Sequence, residues 1–293
     1  MQYCRVRSVA EAVDELSRWG TEGRVLAGGT DVMPRFLRGE QAPAAMIDIG
    51  GIEGLQGISE VGGATSIGAL VTMRRLATAS LIALRHPALR AAAGAVGAWQ
   101  TQTVATLGGN ICSAAPTADT LPALLIADAQ LTLVSKSGRR RIGLADFLAD
   151  AGATPLRPTE LLRAVELEPL GERSAEGYLK VARRSAMDTA VVGLALRLGL
   201  TSAGIVSDAR VAVCGGAGSP HRVPEAEGAM VGVQLADNRI DVAEAGDRLA
   251  AAAAPERSEM AHYRRRVLPG LLNRLAQRCV DDIAGTGVAG TNA

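Results

Sequence analysis

The stretch Thr106-Leu107-Gly108-Gly109-Asn110-Ile111-Cys112-Ser113-Ala114-Ala115-Pro116-Thr117-Ala118-Asp119 decides how this chain reads. It is too poor in large side chains to be explained by core packing. It suits a backbone wrapped closely round something else. Its Gly108-Gly109 pair has a counterpart upstream, in Val25-Leu26-Ala27-Gly28-Gly29-Thr30-Asp31-Val32. Each motif has an apolar lead-in, two glycines and a small polar residue. Glycine admits positive φ and lets a ligand approach without a Cβ in the way. Successive N–H groups in such a turn converge into an anion-binding nest. One such loop is a common turn; two of them suggest a ligand with two phosphates, clamped from both sides. Thr106, Asn110, Ser113 and Thr117 offer hydroxyl or amide contacts, and Asp119 offers an acceptor for a ribose hydroxyl.

Composition narrows the partners. The chain has 293 residues, enough for two domains with their own cores, and 48% of them are hydrophobic. Its formal net charge of +1 carries no basic domain of the kind that binds nucleic acid. Seven aromatic residues leave no platform for stacking single-stranded bases. Arg139-Arg140-Arg141 and Arg264-Arg265-Arg266 read as solvated faces. Lys136 and Lys180 are the only lysines, which makes each easy to single out. Cys4, Cys112, Cys214 and Cys279 are dispersed, as are His86, His221 and His262, so no zinc or iron–sulfur spacing exists. Cys112 reads as a small buried residue rather than a redox thiol. Free thiols fit a reducing compartment. No apolar h-region follows the N-terminus and no run of about 20 apolar residues exists. These features place the protein in the cytoplasm, or on the inner face of the membrane through a partner.

The periodicity predicts a helix over 9–19, with Ser8 as N-cap and Glu11 three residues on. A short strand over 24–27 then enters the first glycine motif, followed by a helix over 31–38 and a strand over 45–49. This is a small parallel βαβ unit, in which ligands sit outside the carboxyl ends of strands. Paired strands over 55–58 and 64–69 flank Gly62-Gly63. Helices are expected over 73–79, 87–98 and 119–129, a hairpin over 130–135 and 140–143, and a strand over 160–168. The polar stretch 171–176 reads as a domain boundary. Beyond it lie strands over 178–183, 191–200 and 209–214, and helices over 225–231, 242–253 and 262–282. Gly285-x-Gly287-x-x-Gly290 is a formal dinucleotide fingerprint, but it follows a helix and precedes none, so it reads as chance.

Val-Leu-Ala-Gly-Gly-Thr-Asp at 25–31 and Thr-Leu-Gly-Gly-Asn-Ile-Cys-x-Ala-x-Pro-x-x-Asp at 106–119 resemble the two FAD-binding segments of the molybdenum hydroxylase flavoproteins. These are the medium subunits of the carbon monoxide dehydrogenase and xanthine dehydrogenase family. A third family signature resembles Tyr178-Leu179-Lys180-Val181-Ala182-Arg183-Arg184-x-x-x-Asp188-x-Ala190-Val191-Val192. The resemblance implies an α+β (α/β) fold. A two-part FAD-binding domain of the PCMH type would span 1–174, divided into a βαβ subdomain (1–52) and a mixed-sheet subdomain (53–174). A smaller C-terminal domain with antiparallel sheet and helices would span 175–283, and 284–293 would be a disordered tail.

The resemblance also implies positions. Residues 25 to 32 (Val25, Leu26, Ala27, Gly28, Gly29, Thr30, Asp31, Val32), with Thr106, Leu107, Gly108, Gly109 and Asn110, would hold the pyrophosphate and ribityl groups. Asp119 would bind a hydroxyl of the flavin nucleotide. Leu162 would pack on the isoalloxazine, and Lys180 would lie near the ring. Val96 stands where some relatives carry an aromatic over the ring. Asp188 would orient a strand turn and carry no catalysis.

The implied activity is that of an oxidoreductase subunit. It would pass electrons from the [2Fe–2S] clusters of a small partner subunit through FAD to an external acceptor. A large molybdopterin subunit would hold the substrate site, and the holoenzyme would be a dimer of heterotrimers. A stand-alone flavin oxidase or dehydrogenase, a non-catalytic assembly or binding subunit, and an unrelated α/β domain are the alternatives.

Overall fold

The computed structural model describes residues 1–40, 42–149, 155–184, 187–215, 218–254 and 260–285. The chain opens with β1 (Gln2–Arg5), α1 (Val9–Trp19), β2 (Gly23–Leu26), α2 (Val32–Leu37) and β3 (Ala45–Asp48). Ser8 caps α1 by accepting from the Glu11 amide, while the Glu11 carboxylate reaches back to the Arg7 amide. The three strands form a parallel sheet in the order β1-β3-β2. β1 is an addition to the expected βαβ unit; its four polar-leaning residues carry no apolar run that would mark a strand. β2 lies at the edge of this sheet and ends at the first glycine motif.

A five-stranded sheet follows in the order β4-β5-β8-β6-β7; it is antiparallel throughout rather than the mixed sheet expected for 53–174, because each neighbouring pair runs in opposite directions. Its strands are β4 (Ile58–Val61), β5 (Ala64–Gly68), β6 (Gln130–Ser135), β7 (Gly138–Gly143) and β8 (Leu161–Leu167). β4 begins three residues later than the sequence reading placed it. Gly62 and Gly63, at φ 60° and 87°, make a two-residue turn that pairs Val61 with Ala64 and Ile58 with Ile67. Counting back from that turn excludes Leu55, which is wholly buried in a 3-10 turn. Between β5 and β6 come α3 (Met73–Thr78), α4 (Ser80–Arg85), α5 (Pro87–Gly94), α6 (Trp99–Val104), α7 (Leu107–Ser113) and α8 (Thr120–Ile126). Short α9 (Leu144–Phe147) follows β7. α5 stops at Gly94 rather than continuing to 98, and Gly97 turns the chain at φ 51°.

The C-terminal part carries a four-stranded antiparallel sheet, β12-β11-β10-β9. These strands are β9 (Ser174–Val181), β10 (Val192–Leu200), β11 (Val206–Cys214) and β12 (His221–Arg222), with α10 (Pro224–Met230), α11 (Ala243–Ala253) and α12 (Ala261–Ile283). β9 begins inside the stretch read as a boundary. Every residue of β10 is buried because both of its faces are covered. Val192, Leu194, Leu196, Leu198 and Leu200 pack on the C-terminal helices. Ala195, with Tyr178 and Ala212, joins the core of the preceding layer. Small residues on that face let the sheet lie flat against α5 and α8. Consequently Glu176, Tyr178 and Lys180, spaced two apart on β9, all point toward the first half of the chain. The GxGxxG-like tail and the expected disorder of 284–293 fall almost wholly outside the described residues.

Candidate functional site

The two glycine motifs meet. A Cβ built on Gly28 would lie 1.9 Å from the carbonyl oxygen of Val104, just ahead of the second motif. Gly108 packs against Ala69, just past β5, where a Cβ would be 2.7 Å from the Ala69 Cβ and 2.8 Å from its carbonyl oxygen. Both glycines therefore serve close backbone approach within the protein. Gly29, at φ 71°, supplies the left-handed turn that starts α2.

Their amides differ. Among the described residues, the N–H groups of Gly28, Gly29, Thr30, Asp31 and Val32 donate to no protein acceptor. The first motif thus presents a run of unspent donors at the carboxyl end of β2. The second motif does not match the expected open loop: residues 107–113 form α7. Thr106 caps it, accepting from the Gly109 amide at 3.1 Å. The amides of Leu107, Gly108 and Asn110 are bonded to the carbonyls of Val71, Ala69 and Thr106. The buried pair Leu107 and Ile111, four apart, is the helical signal that the sequence reading passed over. Symmetric clamping by two nests is therefore replaced by one donor-rich turn resting on a rigid helix start.

A cleft of about 370 Å³ opens at this junction. Ala27, Gly28 and Gly50 line it from the parallel sheet's side; Leu70, Thr72, Arg75, Thr103 and Thr106 line it from the segments and helices that follow β5. That volume lies in the roughly 300–1,000 Å³ range of small-molecule sites. Within the motifs, Val25 and Ala27 pack on the small core beside α1, Leu26 ends β2, Thr30 is exposed and Asp31 pairs with Arg35 at 3.0 Å. Gly109 is exposed. The wholly buried Thr120 donates to the Asn110 Oδ1, which leaves the Asn110 amide nitrogen as the outward donor. Ser113 and Thr117 are half-buried, and their side chains have no partner among the described residues.

Asp119, Lys180 and Val96 come together at a second point. Asp119 is buried, and its two oxygens accept from Tyr178 at 2.6 Å and from Lys180 at 2.9 Å. Each of its oxygens keeps a second lone pair for a further donor. Burial pushes its carboxyl up, while Tyr178 and Lys180 pull it back toward the charged form. Lys180 also donates to the Ala95 carbonyl at 3.0 Å. Next to it, the buried Gln102 donates to the carbonyls of Gly94 and Val96 at 2.9 and 3.0 Å. Gln102 carried no signal in the sequence; Tyr178 opens the third signature but had no role assigned to it, for which the alternation Glu176-Tyr178-Lys180 was the available signal. Val96 is half-buried on this pinned loop. Leu162 is 3% exposed inside the core beside the five-stranded sheet, so it offers no open face.

Asp188 accepts from the amides of Arg184 and Thr189, which is a turn-ordering role. Cys112 keeps part of its surface open, while burial pushes its thiol up to about 12, as an inert sulfur requires. No group of three metal-ligating side chains exists among the described residues. None of their helices is long and apolar enough to cross a membrane.

Residues 1–169 match the model of the FAD binding domain in molybdopterin dehydrogenase, and residues 177–279 match the CO dehydrogenase flavoprotein C-terminal domain. The chain belongs to this flavoprotein family. The flavoprotein is 33% identical over 227 residues to a xanthine dehydrogenase FAD-binding subunit of Escherichia coli, covering 77% of each chain. It is 28% identical over 277 residues to the carbon monoxide dehydrogenase medium chain of Afipia carboxidovorans, covering 94% of this chain and 95% of that one. Reconstituted CO dehydrogenase from Oligotropha carboxidovorans contains a chain that superposes with a TM-score of 0.88 at 26% identity, over 96% of this chain and 97% of that one. The flavoprotein is accordingly an FAD-binding medium subunit of molybdenum hydroxylase type, an oxidoreductase component; in the homologous complexes the molybdopterin and iron–sulfur cofactors belong to other subunits.

Proposed function

We propose that this flavoprotein holds one FAD between its glycine motifs and relays electrons from the [2Fe–2S] clusters of a small partner subunit to an external acceptor. The observation that carries this reading is the run of five unspent amides from Gly28 to Val32, set against the start of α7. A diphosphate fits such a turn without a lysine or arginine clamp. Each amide donating to a charged oxygen contributes roughly 1.5–3 kcal/mol. Thr106 and the Asn110 amide nitrogen would complete the polar contacts, with Leu107, Gly108, Gly109, Ser113 and Thr117 shaping the wall. Val96 and Lys180 would lie at the isoalloxazine end. Leu162 would act from beneath the surface.

Bound FAD supplies electron exchange between one-electron clusters and the acceptor. This chain supplies the amide cradle, a dry slot and a fixed cation. No general acid or base is assigned. The names of its relatives, as subunits and medium chains, support assembly with partner subunits; a large molybdopterin subunit and a small cluster subunit, in a dimer of heterotrimers, complete the proposal. A cytoplasmic setting fits the free cysteines. The proposed division is 1–174, itself split at about residue 52, and 175–283.

Purified chain is expected to be yellow and to release one FAD on denaturation. Colourless protein that cannot be reconstituted with FAD would refute the reading. Oxidation of a small substrate by the isolated chain would favour a stand-alone enzyme instead.

A further inference from the structure

We propose that the Arg74–Trp99 pair anchors the docking site of the external acceptor, and that this acceptor is an acidic one-electron carrier protein. The proposal rests on the FAD reading above.

From Val61 to Ala118 the chain contains no aspartate or glutamate, yet it carries Arg74, Arg75, Arg85 and Arg90. The fold gathers this stretch into β5 and the helices α3 to α7. Two of the four guanidinium groups are engaged within the protein. Arg85 pairs with Glu60 at 3.1 Å, and Arg90 donates to the Ala77 carbonyl at 3.3 Å. Arg74 and the exposed Arg75 have no ion-pair partner among the described residues. The Arg74 guanidinium carbon sits 3.6 Å from the centroid of the Trp99 ring, and that indole is 57% exposed. Cation–π attraction holds the guanidinium there, and its N–H fork stays free for a carboxylate. Trp99 and Thr103, four apart, share one face of α6. Thr103 and the exposed Val104 line the cleft together with Arg75 and Gly28. The patch therefore reaches from Trp99 to the rim of the flavin cleft.

Tryptophan and arginine are the side chains that most often anchor an interface. Their surroundings decide which kind of interface it is. A permanent subunit contact has an apolar core depleted of charge. Here the neighbours are arginine, threonine and glutamine, which suit a small, charge-steered contact that releases quickly. Electron-transfer encounters are of that kind. The stretch without acidic residues sets the sign of the partner, since a negative carrier is drawn to this face and a positive one is not. Two carriers each take one electron from the reduced cofactor, whose protons pass to solvent.

The test uses the FAD-loaded full chain and two one-electron acceptors: plastocyanin, which is acidic, and cytochrome c, which is basic. The flavin is reduced photochemically, and its reoxidation is followed by stopped flow. Plastocyanin is expected to react faster than cytochrome c, and its rate to fall about tenfold between about 20 and 200 mM salt. Arg74→Glu and Trp99→Ala should each lower the plastocyanin rate at least about tenfold and leave the rate with neutral benzoquinone unchanged. A second readout needs no FAD. The chain has two tryptophans, so 15N-tryptophan labelling gives two indole signals. Plastocyanin should shift the Trp99 signal and spare Trp19, whose indole N–H donates to Glu15 at 3.0 Å. Plastocyanin no faster than cytochrome c, a rate insensitive to salt or to Arg74→Glu, or an unmoved Trp99 signal would overturn the proposal. So would loss of partner subunits from the holoenzyme on Arg74→Glu, which would make the patch a subunit interface. A Trp99 shift given by phosphatidylglycerol vesicles and not by plastocyanin would make it a membrane contact and overturn the proposal too. Failure of the native chain to take up FAD would instead overturn the flavin reading itself, and the acceptor role with it.

Discussion

Gly28 and Val104 touch through their backbones, and a single methyl group on Gly28 would sit 1.9 Å from the Val104 carbonyl oxygen. The contact joins the end of β2 to the end of α6 and so sets the two glycine motifs side by side. Gly28→Ala must part them. It is expected to weaken FAD binding by at least about tenfold, the loss of one amide contact to a charged oxygen. Gly109→Ala should be milder, because its Cβ would meet only the Thr106 hydroxyl, at 2.9 Å. Gly109→Val, with a branched Cβ at the exposed start of α7, should strip the flavin. Titration of each apoprotein with FAD, followed by absorbance, checks the order.

Gln102 holds the loop that carries Val96. Gln102→Leu keeps the volume and removes both donors. The expected cost is about 1–3 kcal/mol in urea unfolding, from carbonyls left without their partner. FAD affinity should fall with it, since Gly94 to Ala98 would no longer be held in one shape.

Arg197 and Glu176 form a buried, paired charge at the junction of the two halves, with both guanidinium contacts made to Glu176 Oε2. Burial pushes the Glu176 carboxyl up, and Arg197 pulls it back. Arg197→Met alone strands that carboxylate and should cost about 3–5 kcal/mol. Arg197→Met combined with Glu176→Leu should recover most of the loss, because an apolar pair of similar volume removes the stranded charge. Equilibrium denaturation of the single and double variants separates the two cases.

His86 is fully buried against Thr65, and burial with the nearby Arg197 and Arg85 pushes its pKa down to about 4. In the unfolded chain it takes a proton near 6.5. The unfolded state therefore binds more protons between those values. Stability from this group is complete above pH 6.5 and is lost as pH falls toward 4, by about 3 kcal/mol in all. Asp119 and Glu176, both raised by burial, act in the opposite sense. The difference between the native chain and His86→Asn isolates the histidine. That difference should shrink steadily from pH 6.5 to pH 4; a constant difference would rule the effect out.

Much of the fold was legible because its elements carry local signals. The Ser8–Glu11 cap, the Gly62-Gly63 turn and the apolar alternation of β10 each name their own structure. What escaped was set by contacts between distant segments. Residues 107–113 look like an open loop because glycine and small residues weaken the helical pattern; the Thr106 cap and docking on Ala69 and Val71 make them a helix. Asp119 looks like an unattached acceptor until Tyr178 and Lys180, some sixty residues on, each bond one of its oxygens. Gln102 carries no motif at all, and its importance follows only from where α5 stops. The glycines were read as room for a ligand, whereas Gly28 and Gly108 make room for the protein itself.

Amide hydrogen exchange on the full chain, with and without FAD, tests the central claim most directly. The account predicts that FAD slows exchange at Gly28 to Val32, whose amides have no protein acceptor among the described residues, and changes it little at Leu107, Gly108 and Asn110, whose amides are already bonded. Bound FAD with undiminished exchange at 28–32 would contradict it.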